Sequence, residues 1–357
     1  MLRRSMGVSR RSALLSLAAI VVVAIAVAGL GALQKAPTTI APEDPLILPA
    51  RGYYMGVLPT PAGGQSLDDA YRQAKADAEL VPIWGRPSPF YQLADDLSGS
   101  WGKAFVETLV RGNGMIPLVH MSFIGPNVTL IAPPGMQNAT LGDPAWRKAY
   151  KEAALAVVKA SKPLFLSLGN EVNRWYERYG AKDGDPNSFR NFVSLYNEIY
   201  DAVKGLSPQT QVFCTFAREV VSQNREADLS VLSFFDRSKM DLLVFTSYPF
   251  SVAGVNSPSD IPDDYYSRAL GYMPGKAMGF SELGWSADSH FGGEAGQAQF
   301  LAAVVGRLTE GQGVQLRFVC WAWLHDLSAE DRIGLIGVDG TERMAYRTWK
   351  ALSHPSG

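Results

Sequence analysis

The feature that most restricts the fold of this chain is an alternation that begins after residue 50. Short apolar runs at 53–58, 80–84, 115–120, 164–168, 211–216, 242–246, 277–280 and 316–321 read as eight strands. Between them lie amphipathic stretches at 66–78, 104–111, 144–160, 189–203 and 296–308. In the third of these, Trp146, Tyr150, Ala153, Ala154 and Val157 recur at intervals of three and four, the period of a helix with one buried face. Strands alternating with helices call for a parallel sheet, and runs apolar throughout suit strands covered on both faces. Eight such units close a (β/α)8 barrel. The expected fold is therefore α/β, a TIM barrel over residues 51–357. An open doubly wound sheet is the competing architecture, but no Gly-x-Gly-x-x-Gly follows a strand and no Gly-Lys-Ser/Thr occurs. The ladder is least regular at 217–240, with a helix expected around 230–235, and at 249–275, a Pro-, Ser- and Asp-rich loop with a short helical piece near 264–270.

Bulk properties narrow the function classes. The 357 residues are 47% hydrophobic, enough for one large core, and 33 basic against 34 acidic side chains leave a formal charge of -1. No basic stripe exists to neutralise phosphates, so nucleic acid is not an expected partner. Arg3, Arg4, Arg10 and Arg11 precede residues 13–33, an uncharged apolar run long enough to cross a bilayer. Positive residues before such a run stay cytoplasmic, so the remainder is expected outside the cytoplasm. Residues 1–33 read equally as a cleaved signal or a retained membrane anchor, and 34–50 as an extended tether. Cys214 and Cys320 both fall inside strand runs and are expected as buried free thiols. Asn127-Val-Thr129 and Asn138-Ala-Thr140 match the glycosylation sequon.

Chemistry is expected at the carboxyl ends of the strands, where barrel active sites lie. The fourth strand runs into Gly169, Asn170 and Glu171, and the seventh through Ser281 into Glu282. Strands four and seven face each other across a barrel, which sets one carboxyl group on each side of a central cleft. Two such groups are what cleavage of a glycosidic bond requires: one protonates the leaving oxygen while the other attacks the anomeric carbon or activates water. Two nearby carboxylates resist double ionisation, so one is pushed towards its protonated form. Charge alone does not say which. Eight Trp and fourteen Tyr supply rings that bury the apolar faces of sugars.

On these residues the chain resembles the clan of retaining glycosidases built on (β/α)8 barrels, which includes cellulases, mannanases, β-galactosidases and endo-galactanases. That clan carries an Asn-Glu pair at the end of strand four and a second Glu at the end of strand seven. The resemblance implies that Glu171 is the acid/base, Glu282 the nucleophile, and Asn170 a contact to the sugar 2-hydroxyl. It further implies that Tyr248, in Phe245-Thr-Ser-Tyr-Pro249, hydrogen-bonds the nucleophile. Trp323, in Cys320-Trp-Ala-Trp323, takes the place of the aromatic platform. His120 and Arg86 match a histidine after strand three and an arginine after strand two. The triplet Gly169-Asn-Glu171 is particularly similar to the endo-β-1,4-galactanase branch. The sequence departs from the pattern after both glutamates: Val172-Asn-Arg-Trp175 lacks the Pro of many cellulase-like members, and Leu283-Gly-Trp285 matches no branch closely.

Trp84, Phe90, Tyr91, Trp175, Tyr176 and Trp285 are further candidates for a glycan groove, against packing beneath loops. Asn173 and His325 are candidates for contacts to sugar hydroxyls. Glu219, beyond strand five, is a candidate for a distal substrate or loop contact, its role left open. The four His show neither His-x-His nor His-Glu-x-x-His spacing, so neither metal nor cofactor is expected. The partner expected is a β-linked glycan. The leading expectation is a retaining glycosidase; a transglycosylase on the same bonds and an inactive, carbohydrate-binding barrel are the alternatives.

Overall fold

The computed structural model describes residues 39–84, 89–310 and 313–354. Residues 13–33, which carry the expected signal or anchor, and Arg86 lie outside the described residues. Among the described residues no helix is long and apolar enough to cross a membrane.

The strands are β1 (Tyr54–Val57), β2 (Leu80–Trp84), β3 (Ile116–His120) and β4 (Phe165–Ser167), followed by β5 in two pieces, Gln211–Phe213 and Thr215–Ala217. Then come β6 (Leu242–Ser247), β7 (Ala277–Leu283) and β8 (Leu316–Trp321). Every neighbouring pair is parallel, and β8 pairs with β1. The first piece of β5 pairs with β4 and the second with β6, so the ladder returns to the strand on which it began. A parallel sheet ordered in this way is that of a (β/α)8 barrel.

Side chains alternate along each strand between the lumen and the surrounding helices. Tyr54, Leu80, Leu118, Phe165, Phe213, Val244 and Phe318 form one buried cluster within the ring. Phe165 and Phe213 place their ring centroids 5.4 and 6.1 Å from that of Phe318, which closes the lower lumen. A second, larger cluster lies between the strands and the outer layer. Cys214 and Cys320 are free and buried, as their strand positions led us to expect.

The outer layer consists of α1 (Leu67–Ala74), α2 (Phe90–Ser98), α3 (Pro144–Ser161), a short α4 (Asn173–Tyr179), α5 (Phe189–Leu206), α6 (Gly293–Thr309) and α7 (Met344–Ser353). α3 shows why these segments are helical. The Asp143 carboxylate accepts from Ala145 N at 2.8 Å and so caps the first turn, with Pro144 at the position where a missing N–H costs nothing. Its buried face contains Trp146, Tyr150, Ala154 and Val157, and the Tyr150 hydroxyl donates to Leu168 O at 2.9 Å, tying the helix to the end of β4.

Three segments differ from expectation. The stretch expected as a helix at 104–111 is a π-helix, Lys103–Val110. Around 230–235 and 264–270 the chain forms 3-10 turns, Leu229–Phe234 and Ser267–Gly271, so the β5–β6 and β6–β7 crossovers carry no α-helix among the described residues. Residues 40–50 have no helix or strand but are bonded to the amino-terminal side of the barrel. Ile40 N donates to Leu206 O, Glu43 N to Lys162 O, and Asp44 pairs with Arg111 at 2.9 Å.

Candidate active site

Glu171 is placed by a turn that the local sequence builds around contact and hydrogen bonding. A Cβ on Gly169 would lie 2.5 Å from Val172 Cγ1, so only glycine lets the chain leave β4 so tightly. Ser167 Oγ holds the turn by donating to Gly169 O at 2.9 Å. Glu171 itself has φ 47°, a left-handed conformation that costs a non-glycine residue about 1 kcal/mol or more. Its backbone N donates to Thr215 Oγ1 at 2.8 Å, and that hydroxyl donates onward to Asn170 Oδ1 at 2.7 Å. The Asn170 amide oxygen is thus occupied within the protein, while its amide nitrogen has no hydrogen-bond partner among the described residues. The Glu171 carboxylate accepts from Thr246 Oγ1 at 2.8 Å and pairs with Arg174 Nη1 at 2.9 Å.

Glu282 is aimed by a β-bulge. The β6–β7 register pairs Phe245 with Phe280 and then Thr246 with Glu282, which leaves Ser281 unmatched; the β7–β8 register breaks over the same span. An extra residue of this kind re-aims the following side chain. The strand continues to Leu283, three residues beyond the sequence expectation. Tyr248, just past β6, donates its hydroxyl to Glu282 Oε2 at 2.6 Å. A Cβ on Gly284 would lie 2.7 Å from the Tyr248 ring, so the glycine in the unfamiliar Leu283-Gly-Trp285 segment is what admits the tyrosine.

Burial pushes Glu282 up to about 7; the Tyr248 hydrogen bond opposes this and the Glu171 charge adds to it. The Glu171 charge is therefore felt at the Glu282 carboxyl. Burial also pushes His120, at the carboxyl end of β3, down to about 3, so its ring is neutral at physiological pH.

Glu219 explains why Tyr248 is fixed. It is 4% exposed, and its carboxyl accepts from Tyr248 N at 2.7 Å, Ser247 Oγ at 2.8 Å and Tyr265 OH at 2.8 Å. Burial pushes it up to about 7 against those hydrogen bonds and the neighbouring Arg218. The fully buried Arg218 guanidinium lies 3.8 Å from the Tyr265 ring centroid and donates to Tyr265 O and Glu226. A chain of contacts thus runs from the β5 loop through Glu219 and Tyr248 to Glu282. Thr215 and Thr246 were not legible as site residues, the available signal being a polar side chain at the end of an otherwise apolar strand; Glu219 was singled out, but its role was left open.

Several of the candidate sugar contacts are instead consumed by packing or by hydrogen bonds. Trp175 is 1% exposed and packs against Phe123 and Tyr179, with its indole N–H on Asn187 O. Trp285 is fully buried, stacked on Phe300, with its N–H on Phe291 O. Neither ring offers a face to a sugar. The Asn173 side chain is consumed by Ala217, donating to its O and accepting from its N, both at 2.8 Å. His325 is buried and joins the loops after β1 and β8, with Nδ1 2.6 Å from Thr60 O. Phe90 is likewise a core residue, and Tyr176 packs against Phe189 and Phe234. Trp323, two residues beyond β8, is half-buried, and its indole N–H has no partner among the described residues.

Solved structures share this architecture across most of the chain. A GH5_18 protein from Streptomyces cattleya, solved in complex with GlcNAc, aligns at a TM-score of 0.61 and 16% identity, over 87% of this chain and 82% of that one. Native xylanase 10B from Thermotoga maritima aligns at 0.60 and 12% identity, over 85% and 95%. A GH5_18 protein from Bifidobacterium longum subsp. longum aligns at 0.56 and 18% identity, over 86% and 80%. The likeness is one of fold. No protein-family profile and no curated protein sequence matches the chain.

Proposed function

We propose that the protein is a retaining glycosidase that cleaves a β-linked glycan, with Glu282 as nucleophile and Glu171 as acid/base. The observation that carries this reading is the geometry of the two glutamates. One lies at the end of β4 and the other at the end of β7, each held by a hydroxyl donor, Thr246 in β6 or Tyr248 just past it. The chain-wide likeness to a xylanase and to GH5_18 proteins supports it.

In the first step Glu282 attacks the anomeric carbon as the glycosidic C–O bond breaks. The bonding pair leaves with the oxygen, which takes a proton from Glu171. In the second step Glu171 removes a proton from water, which displaces Glu282 and restores the original anomeric configuration. Burial raises the Glu282 carboxyl in the ligand-free site, whereas attack requires its anion. Positive charge developing at the anomeric carbon stabilises that anion. The free N–H groups of Asn170 are available to the 2-hydroxyl, and the half-buried Trp323 supplies an apolar face. The reading includes export from the cytoplasm, on the strength of the basic residues before the apolar 13–33 segment.

The deciding experiment is a panel of defined β-linked glycans with the anomer of the first product followed by proton NMR. Retention is expected, and Glu282→Ala with azide should release a glycosyl azide of inverted configuration. An inverted first product from the unaltered protein would remove Glu282 from the nucleophile role. Binding without turnover on every glycan would leave a carbohydrate-binding barrel.

A further inference from the structure

Beside Glu171 the carboxyl-terminal face carries a cleft of about 300 Å³ between α4 and the loop after β5. Its lining includes Val128, Arg174, Glu177, Arg178, Val220 and Gln223. Arg174 and Arg178 are four residues apart on α4, so they stand one helical turn apart on the same face, and both are exposed. Glu177 does not cancel them, because its carboxylate is paired with Arg225 at 2.7 Å. Arg178 rests on the Tyr179 ring and donates from Nη1 to Asn127 O, and its other N–H groups have no partner among the described residues. The cleft is at the lower end of the range of about 300–1,000 Å³ typical of small-molecule sites.

Arg174 is the informative residue. Its Nη1 is held by Glu171 Oε2 at 2.9 Å, while Thr246 occupies Oε1. A carboxyl group that must give a proton to a glycosidic oxygen needs a protonated oxygen directed at that atom. The ion pair must therefore part during turnover, and a neutral leaving-group sugar offers Arg174 nothing in exchange.

We propose that this cleft is the leaving-group subsite and that it takes a sugar bearing an anionic substituent, a carboxylate or a sulfate ester, on Arg174 and Arg178. The proposal rests on the glycosidase reading for its role in turnover, though not for binding. The anion draws Arg174 away from Glu171 and frees Oε2 to hold the proton for the departing oxygen. The planar guanidinium matches both kinds of oxyanion in a two-point contact. Binding of the correct leaving group thereby readies the acid, and a neutral glycan leaves Glu171 engaged.

The test is calorimetric titration of the intact protein with methyl β-D-glucuronide, methyl β-D-glucoside 6-sulfate and neutral methyl β-D-glucoside. The two anionic glycosides should bind at least about tenfold more tightly than the neutral one, with affinity falling as salt rises. Arg174→Gln and Arg178→Gln should each remove most of that preference, and Arg174→Lys should retain part of it. Both arginines are exposed, and an unchanged thermal midpoint verifies that the variants fold. Preference for only one of the two anions assigns the substituent. Equal binding of all three, no binding of any, or a preference that survives Arg174→Gln would overturn the proposal. Turnover of the glycan panel separates the two readings. Anion-selective binding without turnover defeats the glycosidase and leaves the subsite; turnover without anion selectivity does the reverse.

Discussion

The Tyr248 hydroxyl donates to Glu282 Oε2 at 2.6 Å, across the junction of β6 and β7. This bond opposes the burial that raises the Glu282 carboxyl to about 7. It stabilises the anion that attack on a sugar requires, so its loss acts on rate and on pH dependence together. In Tyr248→Phe, kcat/KM should fall roughly a hundredfold. The limb on which activity rises with pH, set near 7 by Glu282, should move to higher pH. Gly284→Ala should do the same less completely, since the new methyl group would meet the tyrosine ring at 2.7 Å. A pH–rate profile of each variant on the best glycan of the panel is the measurement. An unshifted limb in Tyr248→Phe would separate the tyrosine from the titration.

Glu219 acts one step behind, through the backbone N of Tyr248 and the hydroxyl of Tyr265. Glutamine at this position presents an N–H group to one of those donors. We expect Glu219→Gln to lower kcat about tenfold with little change in KM, by loosening Tyr248. In a double-mutant cycle the loss should be largely absent when Tyr248 is already Phe. Full additivity of the two losses would show that Glu219 serves the fold without serving the tyrosine.

The raised Glu282 carboxyl also carries a stability signature. Its folded value of about 7 lies above the ordinary glutamate value near 4.5. Below 4.5 the group is protonated in both folded and unfolded chains and contributes no difference. Between 4.5 and 7 the folded chain retains a proton that the unfolded chain has lost, so stability falls as pH rises through that window and stays lower above it. Glu282→Gln removes this liability. The variant should be more stable than the parent by about 1–3 kcal/mol at pH 8, with the gain shrinking towards zero near pH 4.5. Thermal or urea melts at both pH values measure it, and an equal gain at each would point to packing instead of charge.

Thr246 tests the other carboxyl. Its hydroxyl donates to Glu171 Oε1 at 2.8 Å and orients the acid. Thr246→Val retains the shape and removes the bond, so glycans with ordinary sugar leaving groups should lose about tenfold. Aryl glycosides with good leaving groups need little protonation and should be nearly unaffected. Equal losses on both substrate types would argue against Glu171 as the acid.

How much of this was legible in the sequence depends on range. The alternation of apolar runs with helical periodicity is local, and it determined the eight strands, the parallel barrel and the strand ends on which Glu171 and Glu282 lie. Tyr248 was marked by the resemblance to the glycosidase clan, and the structure places its hydroxyl on Glu282. Tertiary structure decided what depends on contact between distant segments. Trp175, Trp285, Asn173 and His325 have the composition of a sugar site but are consumed by packing or by hydrogen bonds to remote backbone, and no local pattern records that. The bulge at Ser281, the entry of Tyr248 over Gly284, and the clamp from Glu219 arise where β5, β6 and β7 meet. The glutamate pair was written in the sequence; the raised Glu282 carboxyl came from burial and from neighbours that only the closed barrel brings together.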